Sequence, residues 1–439
     1  MKVLVIGAGG REHAILWALK QTSTVPLDLY CAPGNAGIAE IAECVPIPAN
    51  DQKALIRFAQ TNQIAMTVVG PEGPLADGIV DQFEHNGLMI IGPSSAAARL
   101  ESSKAFAKDF MRRHRIPTAE YHVAHSAAEA LAVLASGRFG QADSSVVVKA
   151  DGLAAGKGVV VARSREEAKN AVAALTTGKL VTVKAAEQIV IEEALQGREV
   201  SVLLFAAGRD YALMPPARDH KRIGENDTGP NTGGMGAITD SSVLDEQALG
   251  RIVREVVEPT LNGAAAEGFP FRGILFIGLM LTADGPRVLE YNVRFGDPET
   301  QAILMRLQSD LFGVFRATIE GNLGQTKVEW NNDSSACVVL ASAGYPGGFE
   351  TGIEISGLDR VKTSPRLQIF HAGTAGANGN FLTAGGRVLG VTAAESTLER
   401  ALASCYDAIA EIQWRGMQYR RDIGRFNESH KVSSSRFEL

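Results

Sequence analysis

Glu290, Asn292 and Arg294 stand at alternate positions in the run Glu290-Tyr291-Asn292-Val293-Arg294. On a strand, residues i, i+2 and i+4 share one face, so a carboxylate, an amide oxygen and a guanidinium project together. The two oxygens are hard ligands suited to Mg²⁺, which keeps waters and bridges phosphates. The arginine would neutralise charge on a transferring phosphoryl group. Alone, the trio reads as a solvated strand face with an incidental ion pair. The polar, turn-rich run at residues 295–301 directly after it favours a site.

A second group of residues suits phosphates. Gly152-Leu153-Ala154-Ala155-Gly156-Lys157-Gly158 resembles a P-loop but departs from it. Three residues rather than four separate Gly152 from Gly156, and Gly158 stands where a Ser or Thr would hold magnesium. What remains is a glycine loop between two strands, with Lys157 on it and Lys149 ending the strand before it. Two lysines and bare amides suit a nucleoside triphosphate; a hairpin with solvated lysines is the bland alternative. The amino-terminal loop Gly7-Ala8-Gly9-Gly10 opens a helix but has Glu12 where a dinucleotide fingerprint needs its third glycine. That disfavours a nicotinamide cofactor and leaves a monophosphate site at a helix start. Asp219-His220-Lys221-Arg222 would ordinarily be a solvated charge run. The glycine-rich residues 227–236 beside it favour an ordered loop over substrate, although His220 alone does not establish acid–base chemistry.

Strands ending at loops must position these groups. Residues 3–6, 27–32, 65–69 and 88–91 are apolar runs, each closed by a glycine or proline loop. Helical spacing, as at 14–19, follows, which predicts a parallel, doubly wound sheet with ligands beyond the carboxyl ends of its strands. A charged helix at 102–114 marks a boundary near residue 102. Strands are expected at 146–149, 158–162, 189–194, 200–206 and 211–214, helices at 166–175 and 252–267, and a hairpin from 274–282 to 286–292. Residues 217–236 read as one long loop, functional or disordered. Strands at 335–341, 368–372 and 387–392 with a helix at 398–412 predict a small α+β domain, and 427–439 a frayed tail.

The chain has 439 residues, which at roughly 100–200 residues per domain predicts about three domains. Apolar residues make up 45% and charged residues 21%, a globular balance. The net charge of −6 argues against nucleic-acid binding through bulk charge. Cys31, Cys44, Cys337 and Cys405 match no zinc or redox spacing and read as structural thiols of a reducing cytosol. The first apolar segment is too short for a signal peptide, and the apolar run at 273–281 falls short of a membrane span of about 20 residues. A soluble cytoplasmic protein is expected.

Together these segments resemble the phosphoribosylamine–glycine ligase (glycinamide ribonucleotide synthetase) family of the ATP-grasp superfamily. The resemblance rests on GAGGREHA at 7–14, APGNAG at 32–37, VGPEGPL at 69–75, SKAFAKDF at 103–110 and KADGLAAGKGV at 149–159. It continues with IEEAL at 191–195, DHKR at 219–222, DTGPNTGGMGA at 227–237, NVRFGDPETQ at 292–301 and FHAGT at 370–374. It implies a multidomain α/β and α+β chain: a Rossmann-like domain at 1–102, an ATP-grasp domain at 103–322 with its nucleotide-binding subdomain near 120–190, and a small domain at 323–426. It implies that ATP activates glycine as glycyl phosphate, which phosphoribosylamine then attacks. Another ATP-grasp carboxylate–amine ligase or carboxylase is the alternative.

The resemblance also implies residue roles. Lys149, Gly152, Gly156, Lys157 and Gly158 would hold the ATP phosphates. Glu192, Glu193 and Leu195 would meet adenine through their backbone, and Glu199 the ribose. Glu290 and Asn292 would bind Mg²⁺, with Mn²⁺ able to replace it, and Arg294 would face the phosphoryl group or the glycine carboxylate. Gly9, Gly10, Gly34, Asn35, Pro71 and Glu72 would hold phosphoribosylamine, with Asp297 in the substrate set. Asp219, His220, Asn231, Thr232 and Gly233 would close over glycine and the acyl phosphate; Arg294, Lys157, Asp219 and His220 form the expected catalytic set. The expected partners are small molecules, with a monomer or weak dimer making transient contact with other purine enzymes. Ala8, Arg198 and Arg218 depart from the usual pattern, residues 180–188 lack a usual loop, and 274–282 carry no second acidic metal ligand.

Overall fold

The computed structural model describes residues 1–154, 158–178 and 180–425. Its first sheet is parallel, built from β1 (Lys2–Gly7), β2 (Asp28–Pro33), β3 (Glu43–Cys44), β4 (Met66–Val69) and β5 (Ile90–Ile91) in the order β3-β2-β1-β4-β5. Val3, Leu4, Val5 and Ile6 are fully buried because helices cover both faces, which is why β1 reads as a continuous apolar run. The turn after β2 needs glycine: Gly34 has φ +74°, and a Cβ there would collide with Cys44 Sγ. β3 was not anticipated from the sequence, being two residues long, and β5 is shorter than the apolar run suggests.

A second sheet, antiparallel, holds β6 (Tyr121–Ala124), β7 (Val146–Ala150), β8 (Val159–Ala162) and β9 (Ile189–Glu193) in the order β6-β9-β7-β8. The helices Ala127–Ala135 and Arg165–Thr176 pack on it. The central sheet has the order β11-β10-β16-β17, from β10 (Arg198–Ala207), β11 (Asp210–Leu213), β16 (Arg272–Thr282) and β17 (Gly285–Asn292). The β16–β17 hairpin sets Gly278 opposite Glu290 and Phe276 opposite Asn292.

Residues 217–236 are not one loop. They contain β12 (Arg218–Asp219), β13 (Arg222–Gly224) and β14 (Thr228–Asn231) and lead into β15 (Gly236–Thr239). These short polar strands carry no apolar alternation, which is why they escape a periodicity reading. β12 and β15 join β18 (Ser334–Ala341), β20 (Leu367–His371) and β23 (Arg387–Glu395) in the order β12-β15-β18-β23-β20. That sheet therefore crosses the boundary expected near residue 322. A three-stranded sheet of β19 (Glu354–Ile355), β21 (Thr374–Ala377) and β22 (Asn380–Thr383) lies beside it. The helix expected at 252–267 starts earlier, at Glu246, and passes through a wider turn at Val253–Val257. The architecture is the multidomain α/β and α+β one expected. No described helix is long and apolar enough to cross a membrane. Residues 427–439 lie outside the described chain.

Candidate active site

β17 ends on Glu290 and Asn292, and Arg294 stands in the bend two residues past it. Tyr291 and Val293 are buried, while Glu290, Asn292 and Arg294 share the half-exposed face. Gly278 leaves the room for Glu290: a Cβ there would sit 3.2 Å from Glu290 Cγ. Arg294 is heavily engaged. Its Nη2 donates to Asn292 Oδ1 at 3.2 Å and lies 3.0 Å from Glu101 Oε1, and its Nη1 donates to Phe295 O at 3.1 Å. Its Nε, 3.5 Å from Glu72 Oε2, makes no hydrogen bond. Burial pushes the Glu290 carboxyl up, but Lys221, Lys149, Lys104 and Arg294 outweigh that and hold it below its ordinary range. Glu72 behaves likewise beside Arg294 and Arg11.

On the nucleotide side, Lys149 Nζ donates to Leu289 O at 3.1 Å and pairs with Glu192 Oε1 at 2.9 Å. Glu192 is buried, so its side chain is committed to lysines and only its backbone remains for a base. Glu193 Oε1 accepts from Glu120 N at 2.8 Å, and Leu195 is half-buried. Glu199 pairs with Lys221 at 2.9 Å. Gly152 donates its N–H to Ala185 O at 2.9 Å, and a Cβ on it would reach Ala185 Cα at 2.9 Å. Gly158 O accepts from Ala150 N. Gly156 and Lys157 lie outside the described residues.

The residues 219–233 divide. Asp219 reaches the cleft: burial raises its carboxyl, Lys221 opposes this, and Glu199 and Glu290 add to it. His220 does not present a free ring to substrate. It is 3% exposed, its Nε2 accepts from Gly424 N at 2.9 Å, and its Nδ1 lies 3.8 Å from Asp227 Oδ1. The ring pins this segment to the carboxyl-terminal domain. Thr232 accepts from Gly234 N and donates to Lys221 O, Gly233 N donates to Tyr345 Oη at 2.9 Å, and Asn231 pairs with Arg222 in the β13–β14 ladder.

The amino-terminal domain reaches the trio through Glu72, whose Oε2 lies 3.5 Å from Arg294 Nε, and through Arg11. Arg11 Nη1 donates to Phe295 O at 3.2 Å. Gly9 N donates to Glu12 Oε2 at 2.6 Å, so this N–H is not free for a phosphate, a correction to the expected role of Gly9. Glu12, the residue that breaks the dinucleotide fingerprint, thus fills the turn itself. Gly10 abuts Gln301 Nε2, and Gly9 faces Asp297, whose Oδ2 would be 3.6 Å from a Cβ there. Asp297 accepts from Gln301 Nε2 at 2.8 Å and pairs with Arg387 Nη2 at 3.1 Å. Asn35 corrects a second expectation. Its amide donates to Ala8 O and His371 O, each at 2.9 Å, and accepts from Ile38 N, so it ties domains together instead of facing a ligand. Pro71 caps the short helix that starts at Glu72.

The sequence reading did not assign Lys104, Lys221, Glu101, Glu299 or Arg387. The first two lie inside quoted motifs, SKAFAKDF and DHKR. Lys104 Nζ donates to Gly152 O at 3.2 Å, and burial lowers its pKa against the pull of Glu290. Glu299, in DPETQ, is 4% exposed; burial, with Asp219 adding, pushes it up to about 7. Among the described residues no three His, Cys, Asp or Glu side chains converge as a metal site. Glu290 and Asn292 offer one carboxylate and one amide oxygen, the latter accepting from Arg294, a set that suits a hard cation keeping its waters and bound largely through phosphates. The departing Arg198 donates to Ser242 O, away from the trio. A groove of about 1260 Å³ runs along the helix Lys104–Arg113; its lining includes Phe106, Tyr121 and, from the expected nucleotide set, Gly152 and Glu193, but not the trio.

Residues 1–101 match the family described as phosphoribosylglycinamide synthetase, N domain; residues 102–300 match its ATP-grasp (A) domain and residues 335–426 its C domain. The phosphoribosylamine–glycine ligase of Brucella melitensis is 45% identical over 424 residues, covering 97% of each chain. That of Xanthomonas campestris is 47% identical over 428 residues, again covering 97% of each. The crystal structure of phosphoribosylamine–glycine ligase from Thermotoga maritima superposes with a TM-score of 0.81 at 34% identity, covering 96% of this chain and 100% of that one. The biotin carboxylase domain of a Hydrogenobacter thermophilus 2-oxoglutarate carboxylase reaches 0.72 at 17% identity, over 95% and 91%, a likeness of fold alone.

Proposed function

The chain belongs to the phosphoribosylglycinamide synthetase family, and from that premise we propose how its own residues carry out the ATP-dependent joining of glycine to 5-phosphoribosylamine. The reaction yields glycinamide ribonucleotide, ADP and phosphate, a step of purine biosynthesis. The observation that carries the residue assignment is the convergence of Lys104, Lys149, Lys221 and Arg294 on Glu290. These four cations, three of which also pair with Glu192, Glu199, Glu101 and Glu72, line a basin for a triphosphate and for the charge that moves during phosphoryl transfer.

A glycine carboxylate oxygen attacks the γ-phosphorus and the bond to ADP breaks, giving glycyl phosphate. The amine nitrogen of phosphoribosylamine then attacks the carbonyl carbon, phosphate leaves with the bonding pair, and the nitrogen loses a proton. No covalent enzyme intermediate is required, so positioning and charge neutralisation do the work. Lys149 and Lys104 hold phosphates. Arg294, whose Nε is paired with Glu72 but makes no hydrogen bond, meets the phosphoryl group or the glycine carboxylate. Asp297, fixed by Gln301 and Arg387, receives the amine beside Gly9. Glu290 and Asn292 would hold Mg²⁺ or Mn²⁺, which when bound shields the triphosphate's charge. Asp219 and the 231–233 segment cover the acyl phosphate.

We place the enzyme in the cytoplasm, acting on small molecules as a monomer or weak dimer that can meet other purine enzymes transiently. The net charge of −6 supports the absence of a nucleic-acid partner.

The test is ADP release by the purified protein with ATP and Mg²⁺. Release that needs both glycine and fresh phosphoribosylamine is expected. Release with bicarbonate in place of glycine would move the substrate to that of a carboxylase.

A further inference from the structure

The buried carboxylate of Glu192 has a lysine on each oxygen. Lys108 Nζ lies 2.9 Å from Oε2 and Lys149 Nζ 2.9 Å from Oε1. Glu192 and Lys108 are each 1% exposed. One buried carboxylate needs one counter-charge, and here it has two. The two lysines are held differently. Lys108 also donates to Thr118 Oγ1 at 2.7 Å, and Thr118 donates in turn to Val288 O at 2.6 Å. Its helix, Lys104–Arg113, is fixed at its start by Ser103, whose hydroxyl accepts from Phe106 N and donates to Asp151. Lys149 donates to Leu289 O, while Glu192 Oε1 accepts no aligned hydrogen bond. Charge, not directed bonding, holds Lys149 to the carboxylate.

We propose that Lys108 is a positioning residue for the nucleotide: it keeps Glu192 neutralised, so that Lys149 can leave that carboxylate for the phosphates of ATP. The proposal rests on reading Lys149 as a phosphate ligand. A buried carboxylate stripped of its only partner is strongly destabilised. With Lys149 as sole partner, Glu192 would oppose each binding event; with Lys108 in place, Lys149 is the spare cation. The chain from Lys108 through Thr118 to Val288 also anchors this ion pair to β17, two residues before Glu290. Burial pulls the Lys108 ammonium down to about 8 against the attraction of Glu192, which leaves it mostly charged at neutral pH.

The experiment measures MgATP binding to the full-length protein, with melting temperature recorded for each variant. Lys108→Met is expected to weaken ATP binding about tenfold while the KM values for glycine and phosphoribosylamine at saturating ATP stay put. Lys108→Met combined with Glu192→Gln removes the stranded charge together with its partner, and most ATP affinity should return. A double variant as weak as the single one would overturn the proposal, because a packing role for Lys108 is indifferent to the charge on Glu192. Thr118→Val loosens Lys108 without stranding a charge and should weaken ATP binding a few-fold. Should Lys108→Met fail to fold, unchanged ATP affinity in Thr118→Val overturns the proposal by itself. Lys149→Met separates the two ideas: wild-type ATP binding there would sink the phosphate-ligand reading, whatever Lys108 does.

Discussion

Arg387 meets Asp297 twice: Nη1 donates to its carbonyl oxygen at 2.8 Å, and Nη2 lies 3.1 Å from its Oδ2. The same Nη1 donates to Gly233 O, and Gly233 N donates to Tyr345 Oη. A strand of the carboxyl-terminal sheet thus holds the loop after β17 and the glycine-rich segment in one grip. The carboxyl-terminal domain is part of the site's frame.

If that grip positions Asp297 for the amine, Arg387→Met should raise the KM for phosphoribosylamine about tenfold or more. The KM for ATP should stay within about twofold, since the nucleotide side lies across the trio. Steady-state kinetics with each substrate varied reads the split. An equal rise for both substrates would mean that Arg387 only stabilises the fold.

Lys221, Lys149, Lys104 and Arg294 all act on the Glu290 carboxylate. Glu290→Gln keeps the shape and removes the charge, so turnover should fall about 10²–10³-fold, the usual cost of one preorganised electrostatic group. The apparent affinity for Mg²⁺ should fall with it. Unchanged turnover across a magnesium titration would remove Glu290 from the metal site.

Much of this centre was legible because strand periodicity is short-range. Glu290, Asn292 and Arg294 needed only a period of two, and the structure puts them on one face with Tyr291 and Val293 buried behind. Lys104 and Lys221 lay in quoted motifs, yet their convergence on Glu290 depends on how three sheets meet, which spacing does not encode. Arg387 and Asp297 are 90 residues apart. Glu12 was legible as a broken fingerprint, but not as the group that takes up the Gly9 N–H. His220 was legible as a polar group beside a glycine-rich segment, but its burial and its Gly424 contact were not.

His220→Asn therefore makes a test of position against chemistry. A pin should cost stability, about 1–3 kcal/mol for a buried hydrogen-bonding group, and raise substrate KM values through the 231–233 segment. The pH dependence of kcat should keep its shape. Loss of one limb of that profile would restore His220 to proton transfer.

Acid should open the seam between the amino- and carboxyl-terminal domains. His13 Nδ1 accepts from His371 N at 2.9 Å, His371 Nδ1 lies 3.1 Å from Thr374 Oγ1, and Asn35 ties His371 O to Ala8 O. Both histidines are buried. Burial, with His371 adding, lowers His13 to about 3, and burial lowers His371 to about 4. In the unfolded chain each titrates near 6.5, so between that value and the folded one the unfolded state binds more protons. Stability is then complete above about pH 7 and lost as pH falls through 6.5 toward 4, at about 1.4 kcal/mol per pH unit for each group that must charge. Glu299 works in the opposite sense: raised to about 7, it favours the fold below its ordinary 4.5 and loses that contribution as pH rises to 7. A comparison of variants cancels it. His13→Asn keeps an acceptor near the Nδ1 position and removes one titration. Melting temperatures taken from pH 7.5 to about pH 4.5 should fall less steeply in His13→Asn than in the parent chain. Parallel curves would show that His13 is not what acid acts on at this seam.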